Sequence, residues 1–410
     1  MIKNMIFIFC FLFLNFFNVF GQFYPVNYNK YPFINQGLNN LQIYGHKTWN
    51  RFFEKLDKQY KDGDKNINIV HFGGSHIQAD IWSNRMRENF QHSLPYNNSG
   101  RGFFFPFSLI NSNSSHVIKT SHSGKWEGFR NSVNYHRGPF GLTGARAELL
   151  DDSSIINIWY NHPKNSYNSF QEIDLFFEDS NTNYEIRINL DPSIKIKTKK
   201  FDGYIKYKFS SPVDSLSFLI KKKDNLESKF YFFGFRLDNN KNGISYHSIG
   251  VNGASVPSYL RCELLEKQLS LINPDLVIFS IGINDAYQEG FSKDFFKKNY
   301  DSLIQIVKKS NPNTAILFTT NNDSYYKKEY PNKRVFQARE VMFELTKNKS
   351  FAVWDMFEIM GGLNSIKKWE TNRLAKEDLI HLNYKGYNLL ADLLFEAIMK
   401  SYKNHTNKHG

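Results

Sequence analysis

Cysteine is almost missing from this 410-residue chain: Cys10 and Cys262 are its only two. Cys10 lies in an apolar N-terminal run, so a chain that loses that run keeps one thiol. It can then form neither an intrachain disulfide nor a cysteine metal site. Stability must come from a packed core, which the remaining length can supply. Long apolar runs are equally scarce. After residue 20 no segment is long and apolar enough to cross a bilayer. Acidic residues are in deficit, 39 against 52 Lys plus Arg, which leaves a net charge of +13. That balance fits a solvated basic surface, or attraction to an anionic polymer such as a cell-wall glycan, or to a membrane surface. No nucleic-acid motif accompanies it, so nucleic acid is not an expected partner.

Lys3, the apolar run Met5 to Phe20 and then Gly21-Gln22 read as a signal peptide over 1–21. The run is short for a span and contains Asn15 and Asn18, which argues against a retained anchor. Cys10 lacks the small residues that precede a lipoprotein cysteine. The expectation is an exported chain, periplasmic or secreted, with no stable membrane span after cleavage.

Residues 23–45 are polar and aromatic without a period. Trp49, Phe52, Phe53, Leu56 and Tyr60 then fall at helical spacing over 47–61, and Trp82, Met86 and Phe90 mark a helix over 79–93. From about 112 to 237 the texture changes to alternation, as in Ile156/Ile158/Tyr160, Ile173/Leu175/Phe177 and Leu216/Phe218/Ile220. Turn residues at 10–17-residue intervals predict a β-sandwich, with Lys195, Lys197, Lys206 and Lys208 on its outer face. After 240 the pattern returns to α/β. Helices are expected over 258–271, 292–309, 333–347 and 385–402, and buried strands over 276–281, 314–320 and 351–355. Strands alternating with helices predict a three-layer, doubly wound parallel sheet. The α/β domain thus spans 23–111 and 238–402, with a β-sandwich inserted at 112–237 and a polar tail at 403–410.

The chemistry concentrates in four short blocks. In Asn66–Asp80 an apolar run ends in Gly73-Gly74, then Ser75-His76, then a helical pattern. Ser75 is thereby placed at a strand-to-helix turn, where nucleophilic serines of α/β folds sit. A serine hydroxyl needs an imidazole to take its proton, and the imidazole needs a carboxylate to fix its tautomer. Asp378-Leu-Ile-His381 supplies both. Between them lie Gly250-Val-Asn-Gly253 and Gly282-Ile-Asn284-Asp285. His71 and His76 could suggest a metal pair, but His71 lies within the apolar strand and no third ligand stands nearby, so no metal is expected.

The order and spacing of these blocks resembles the SGNH (GDSL-type) hydrolases, whose fold is flavodoxin-like. The resemblance covers about 47–110 and 240–402. It implies Ser75 as nucleophile, His381 as general base and Asp378 as its orienting partner. The oxyanion hole would be the backbone N–H groups of Ser75 and Gly253 with the Asn284 side-chain amide. No cofactor is implied. One departure stands out: the family usually carries Asp where this chain has Gly74. Gly73–Asp80, Gly100–Pro106, Met360–Ile366 with Trp369, and His381–Tyr387 resemble the subgroup that contains periplasmic peptidoglycan O-acetylesterases, which also carries a β-sandwich insert. This implies an esterase of the Gram-negative envelope that removes acetyl groups from an acylated polysaccharide or peptidoglycan. A general carboxylesterase or lipase-like hydrolase, an O-acyltransferase and a non-catalytic glycan-binding protein remain open on the same residues.

Overall fold

The computed structural model describes residues 26–93, 99–161, 169–179 and 183–409. The expected signal peptide lies outside them. Among the described residues no helix is long and apolar enough to cross a membrane.

Apolar residues occupy both faces of the central strands, so each strand can be buried on both sides. Strand β2 (Asn66–Gly73) lies between β14 (Gly243–Gly250) and β15 (Leu276–Ser280). Beyond β15 follow β16 (Ala315–Thr319) and β19 (Ala352–Trp354), all five parallel. On one face Ile69, Ile278, Leu317 and Trp354 cluster with Phe52, Met86 and Leu390 of the helices His46–Asp62, Trp82–Ser93 and Tyr384–His409. On the other, Phe72, Phe279 and Phe318 cluster with Leu269, Leu303 and Leu345 of Leu265–Ile272, Lys293–Ser310 and Arg334–Lys349. This is the expected three-layer architecture.

Three details differ from expectation. The lead-in contributes an edge strand, β1 (Leu41–Ile43), antiparallel to β19. Its position is tied by buried Asn39, which accepts from the Trp354 indole at 2.9 Å. No hydrophobic period announced it, because a three-residue strand is too short to show one. The helix expected at 258–271 is split into Val256–Leu260 and Leu265–Ile272. Between them Glu263 accepts from the Phe140 N–H at 2.8 Å and the Leu264 N–H donates to the Phe140 carbonyl. Pairing with the insert replaces helical hydrogen bonds there. A two-stranded ribbon, β17 (Tyr325–Tyr326) with β18 (Tyr330–Pro331), was also not foreseen.

The insert is a sandwich of two antiparallel sheets. One contains β5 (Trp126–Arg130), β6 (Ala145–Leu149), β8 (Phe170–Asp179), β10 (Ile196–Phe201), β11 (Tyr204–Val213) and β13 (Phe230–Asp238), with β3 (Gly102–Phe104) also on β13. The other runs β4 (Ile118–His122), β7 (Ser153–Tyr160), β12 (Ser215–Lys222) and β9 (Tyr184–Asn189). The two meet where Phe218 stacks on Phe235, with ring centroids 5.2 Å apart. Lys195 and Lys197 are exposed, while Lys206 and Lys208 pair with Glu172. Two features tie the sandwich to the α/β layers. β3 belongs to its larger sheet although it precedes residue 112, and the apolar core of the sandwich is continuous with that on the Phe72 face.

A buried polar chain crosses the parallel sheet. Tyr246 bonds His71 at 2.8 Å, His71 bonds Ser280 at 2.6 Å, and Thr319 donates to Ser280 at 2.8 Å. Burial pushes the His71 imidazole down to about 3, so it is neutral at pH 7. Both ring nitrogens are taken by protein, and His71 is a core residue.

Phe72 is fully buried between Tyr259 and Phe279, directly below the Ser75 turn. Phe72→Ala should cost about 3–5 kcal/mol of unfolding free energy, the usual range for a buried Phe truncated to Ala. Denaturant unfolding checks this; a loss under about 1 kcal/mol would contradict the packing.

Candidate active site

Strand β2 ends at Gly73, Gly74 turns the chain, and Ser75 opens the four-residue helix Ser75–Gln78. At that first helical position the Ser75 N–H has no acceptor within the helix. The Ser75 hydroxyl lies 2.7 Å from His381 Nε2. His381 Nδ1 lies 2.9 Å from Asp378 Oδ2. The structure therefore brings together the three residues singled out at opposite ends of the chain.

The loop carrying Asp378 and His381 is fixed by its own backbone. Asp378 Oδ1 accepts from the N–H groups of Ile380 (2.9 Å) and His381 (2.8 Å), a short-range turn closed by the side chain. Leu379 takes a left-handed φ of 56° to allow it. From outside, the Tyr325 N–H donates to the Leu379 carbonyl at 2.9 Å and the Asn322 amide to the Ile380 carbonyl at 3.0 Å. Burial opposes the charge of Asp378. The bonds from the His381 ring and from the two N–H groups outweigh burial and hold the carboxyl well below the usual range. A permanent anion thus faces Nδ1, which directs the Nδ1 proton toward Asp378 and leaves Nε2 free to accept from Ser75.

Gly253 and Asn284 share a cleft with Ser75. Asp378 and His381 line the same cleft, of about 750 Å³, together with Asn113, Asn252, Tyr287, Lys376 and Tyr384. Asn284 donates one amide proton to the Ala254 carbonyl at 2.8 Å. That bond fixes the amide and leaves its second proton unused by it. Gly253 adopts φ 78°, a left-handed conformation that glycine takes without a steric penalty. Gly74 has a specific reason here. A Cβ at that position would stand 2.9 Å from Asn284 Nδ2 and 3.3 Å from the Ala254 carbonyl. Any side chain at position 74 would therefore crowd the Asn284 amide.

The sequence blocks also hold supporting residues whose contacts only the folded chain reveals. His76 Nδ1 bonds the Tyr387 hydroxyl at 2.6 Å, and the His76 and His381 rings lie 5.2 Å apart. Burial pushes His76 down to about 3, so a neutral ring adjoins His381. Asp80 is buried with Arg87 and Arg101 and accepts from Ser83 and Ser115. Burial opposes its charge, yet the two guanidinium groups bring it down to about 2. This ion cluster links the 73–80 and 100–106 blocks, which sequence spacing could not show. Asp285 accepts from the Val256 N–H with both oxygens, at 3.2 and 3.1 Å, joining the Asn284 turn to the segment after Gly253. Burial pushes its carboxyl up to about 7, with the Val256 N–H opposing.

Two predictions follow from this geometry. Gly74→Asp, although it restores the usual family residue, should displace the Asn284 amide and lower turnover of a soluble ester by at least ~10-fold, part of the ~10²–10³ loss typical of one oxyanion donor. Steady-state kinetics on the folded variant decide this; higher turnover would show that the turn tolerates the carboxylate. Asp285 has a folded pKa above its unfolded value. Its protonated form is therefore favoured on folding, and its contribution is lost as pH rises from about 4 to about 7. Relative to Asp285→Asn, the wild-type chain should lose stability between pH 5 and pH 8. Denaturation midpoints at the two pH values test this; a pH-independent difference would refute it.

Comparison with known proteins agrees with the geometry. Residues 226–389 match the GDSL-like Lipase/Acylhydrolase family, a stretch that holds Gly253, Asn284, Asp378 and His381 but not Ser75. No curated protein matches the chain significantly in sequence. Among solved structures, a peptidoglycan O-acetylesterase superposes with a TM-score of 0.74 at 18% identity, covering 89% of this chain and 99% of its own. A GDSL-like lipase from Bacteroides thetaiotaomicron covers 38% of this chain and 76% of its own, at 19% identity and a TM-score of 0.30. A family two carbohydrate esterase from Clostridium thermocellum covers 69% and 98%, at 12% identity and a TM-score of 0.32. The chain thus resembles the GDSL-like lipase/acylhydrolase family over residues 226–389 and shares the overall fold of the superposed esterase, α/β layers with an inserted β-sandwich.

Proposed function

We propose that this protein is an exported serine esterase that removes O-acetyl groups from a carbohydrate polymer, with cell-wall peptidoglycan as the leading substrate. The observation that carries the reading is the unbroken path from the Ser75 hydroxyl to His381 Nε2 (2.7 Å) and from His381 Nδ1 to Asp378 (2.9 Å). Ser75 Oγ attacks the ester carbonyl as His381 takes its proton. The N–H groups of Ser75 and Gly253 and the free amide proton of Asn284 stabilise the oxyanion. Collapse expels the sugar oxygen, which receives the proton from His381 and leaves an acetyl group on Ser75. Water then gives a proton to His381 and attacks the acyl carbonyl. Acetate leaves and the Ser75 hydroxyl is restored.

The polymer part of the reading is supported by the cleft rim. Tyr384 is exposed there and meets His116 of the insert edge to face, with ring centroids 5.3 Å apart. Amides of Asn113, Asn252 and Asn383 line the same cleft, and Lys376 adds a cation. An exposed aromatic with several amides suits a hydroxyl-rich ligand. The fold likeness to a peptidoglycan O-acetylesterase points the same way. Export rests on the apolar run from Met5 to Phe20.

Ser75→Ala should abolish hydrolysis of an activated acetyl ester while leaving the circular dichroism spectrum unchanged. Mass spectrometry of O-acetylated peptidoglycan should show acetyl loss with the wild-type protein and none with the variant. Undiminished turnover in Ser75→Ala would mean that another group is the nucleophile. Intact acetylation after wild-type treatment would remove peptidoglycan as substrate.

A further inference from the structure

We propose that the inserted β-sandwich is part of the esterase centre, because its Ser132 aims the Gly253 N–H. The inference rests on the reading of Gly253 as an oxyanion donor. Ser132 follows β5, in the turn between β5 and β6. Its hydroxyl donates to the Asn252 carbonyl at 2.7 Å. That carbonyl and the Gly253 N–H belong to one peptide unit. The unit is planar, and its N–H points opposite to its C=O. A bond that fixes the carbonyl therefore fixes the direction of the N–H. Donation to the carbonyl also polarises the amide and strengthens its N–H as a donor.

Such a fixed point is needed here. Gly253 takes φ 78° in a loop, and glycine has the widest backbone freedom of any residue. The preceding peptide is held from the hydrolase side, where the Asn252 N–H donates to Gln78 Oε1 at 2.6 Å. Ser132 holds the next peptide from the sandwich side. Asn113, at the entry to the insert, completes the clamp: its Oδ1 accepts from Asn252 Nδ2 at 2.6 Å and from Gln78 Nε2 at 3.0 Å.

The Ser132 turn is itself anchored. Buried Asn131 donates its backbone N–H to the Gly144 carbonyl at 2.8 Å. Arg261 donates to the carbonyls of Val133, at 2.9 Å, and His136. A side chain can orient a peptide only if its own backbone is rigid, and these bonds supply that rigidity. The insert thus does more than add a binding surface. Removing it would free the peptide that is to meet the developing charge.

The test is steady-state kinetics of the full chain on a small soluble acetyl ester, which needs no polymer recognition. Ser132→Ala should lower kcat by ~10–100-fold, a fraction of the loss for one whole donor, with KM within about 2-fold. Ser132→Thr, which keeps the hydroxyl, should restore most of the rate. Thermal unfolding must first show that Ser132→Ala is folded. If it is not, Ser132→Cys, a weaker donor of similar size, takes its place and should also lose kcat rather than KM. Wild-type kcat in a folded variant lacking the hydroxyl, or a Thr variant as slow as Ala, would overturn the inference. Ser75→Ala is the parallel control: activity surviving there would refute the serine-esterase reading itself, whatever Ser132 does.

Discussion

The site depends on the register of three parallel strands. Gly73 of β2 pairs with Gly250 of β14 on one side and with Ser280 of β15 on the other. The three chains leave the sheet at the same level and in the same direction. Ser75, Gly253 and Asn284 follow two, three and four residues later. A parallel sheet buried on both faces cannot slip by a residue without turning every side chain onto the wrong face. The apolar packing of Phe72, Ile69, Ile278 and Phe279 therefore determines where the polar groups emerge. The geometry of the candidate site is a consequence of core packing rather than of contacts among the polar residues alone.

Charge is handled in two ways around that edge. Groups that must stay ionised are surrounded by donors: Asp378 by two N–H groups and an imidazole, Asp80 by two guanidinium groups and two hydroxyls. The imidazole that adjoins His381, His76, is buried and thereby kept neutral, as is His71 within the sheet. The consequence is that His381 is left as the histidine with an exposed edge next to Ser75. Tyr387, whose hydroxyl bonds His76, lies in the first turn of the last helix, so even the packing of that helix bears on the electrostatics of the site.

The insert and the α/β layers behave as one packed body. The Phe72 face of the sheet shares its core with Phe218, Phe230 and Phe235 of the sandwich. Glu263 and Leu264 hydrogen-bond to Phe140. The helix after Gly253 is interrupted to make those bonds, which shows the insert shaping the hydrolase chain. An insertion with a continuous core and several polar ties differs from a module tethered by flexible linkers.

The α/β class, the strands β2, β15 and β16, and the alternating strands of the sandwich were legible because hydrophobic period is a local property. Ser75, Asp378 and His381 stood out by residue type and position, whereas Gly253 and Asn284 were singled out because the order of the four blocks resembles a known family. What joins them was not legible. Strand order places Gly250 and Ser280 on either side of Gly73, and no residue in any of those strands states its neighbour. The constraint on Gly74 is visible only in the fold, where a Cβ at that position would crowd the Asn284 amide. Ser132 is one polar residue among many in a loop, and its partner is the backbone of Asn252, 120 residues away. A side chain that bonds to a distant carbonyl leaves no pattern in the sequence, since every residue presents a carbonyl; only the folded chain selects which one it meets.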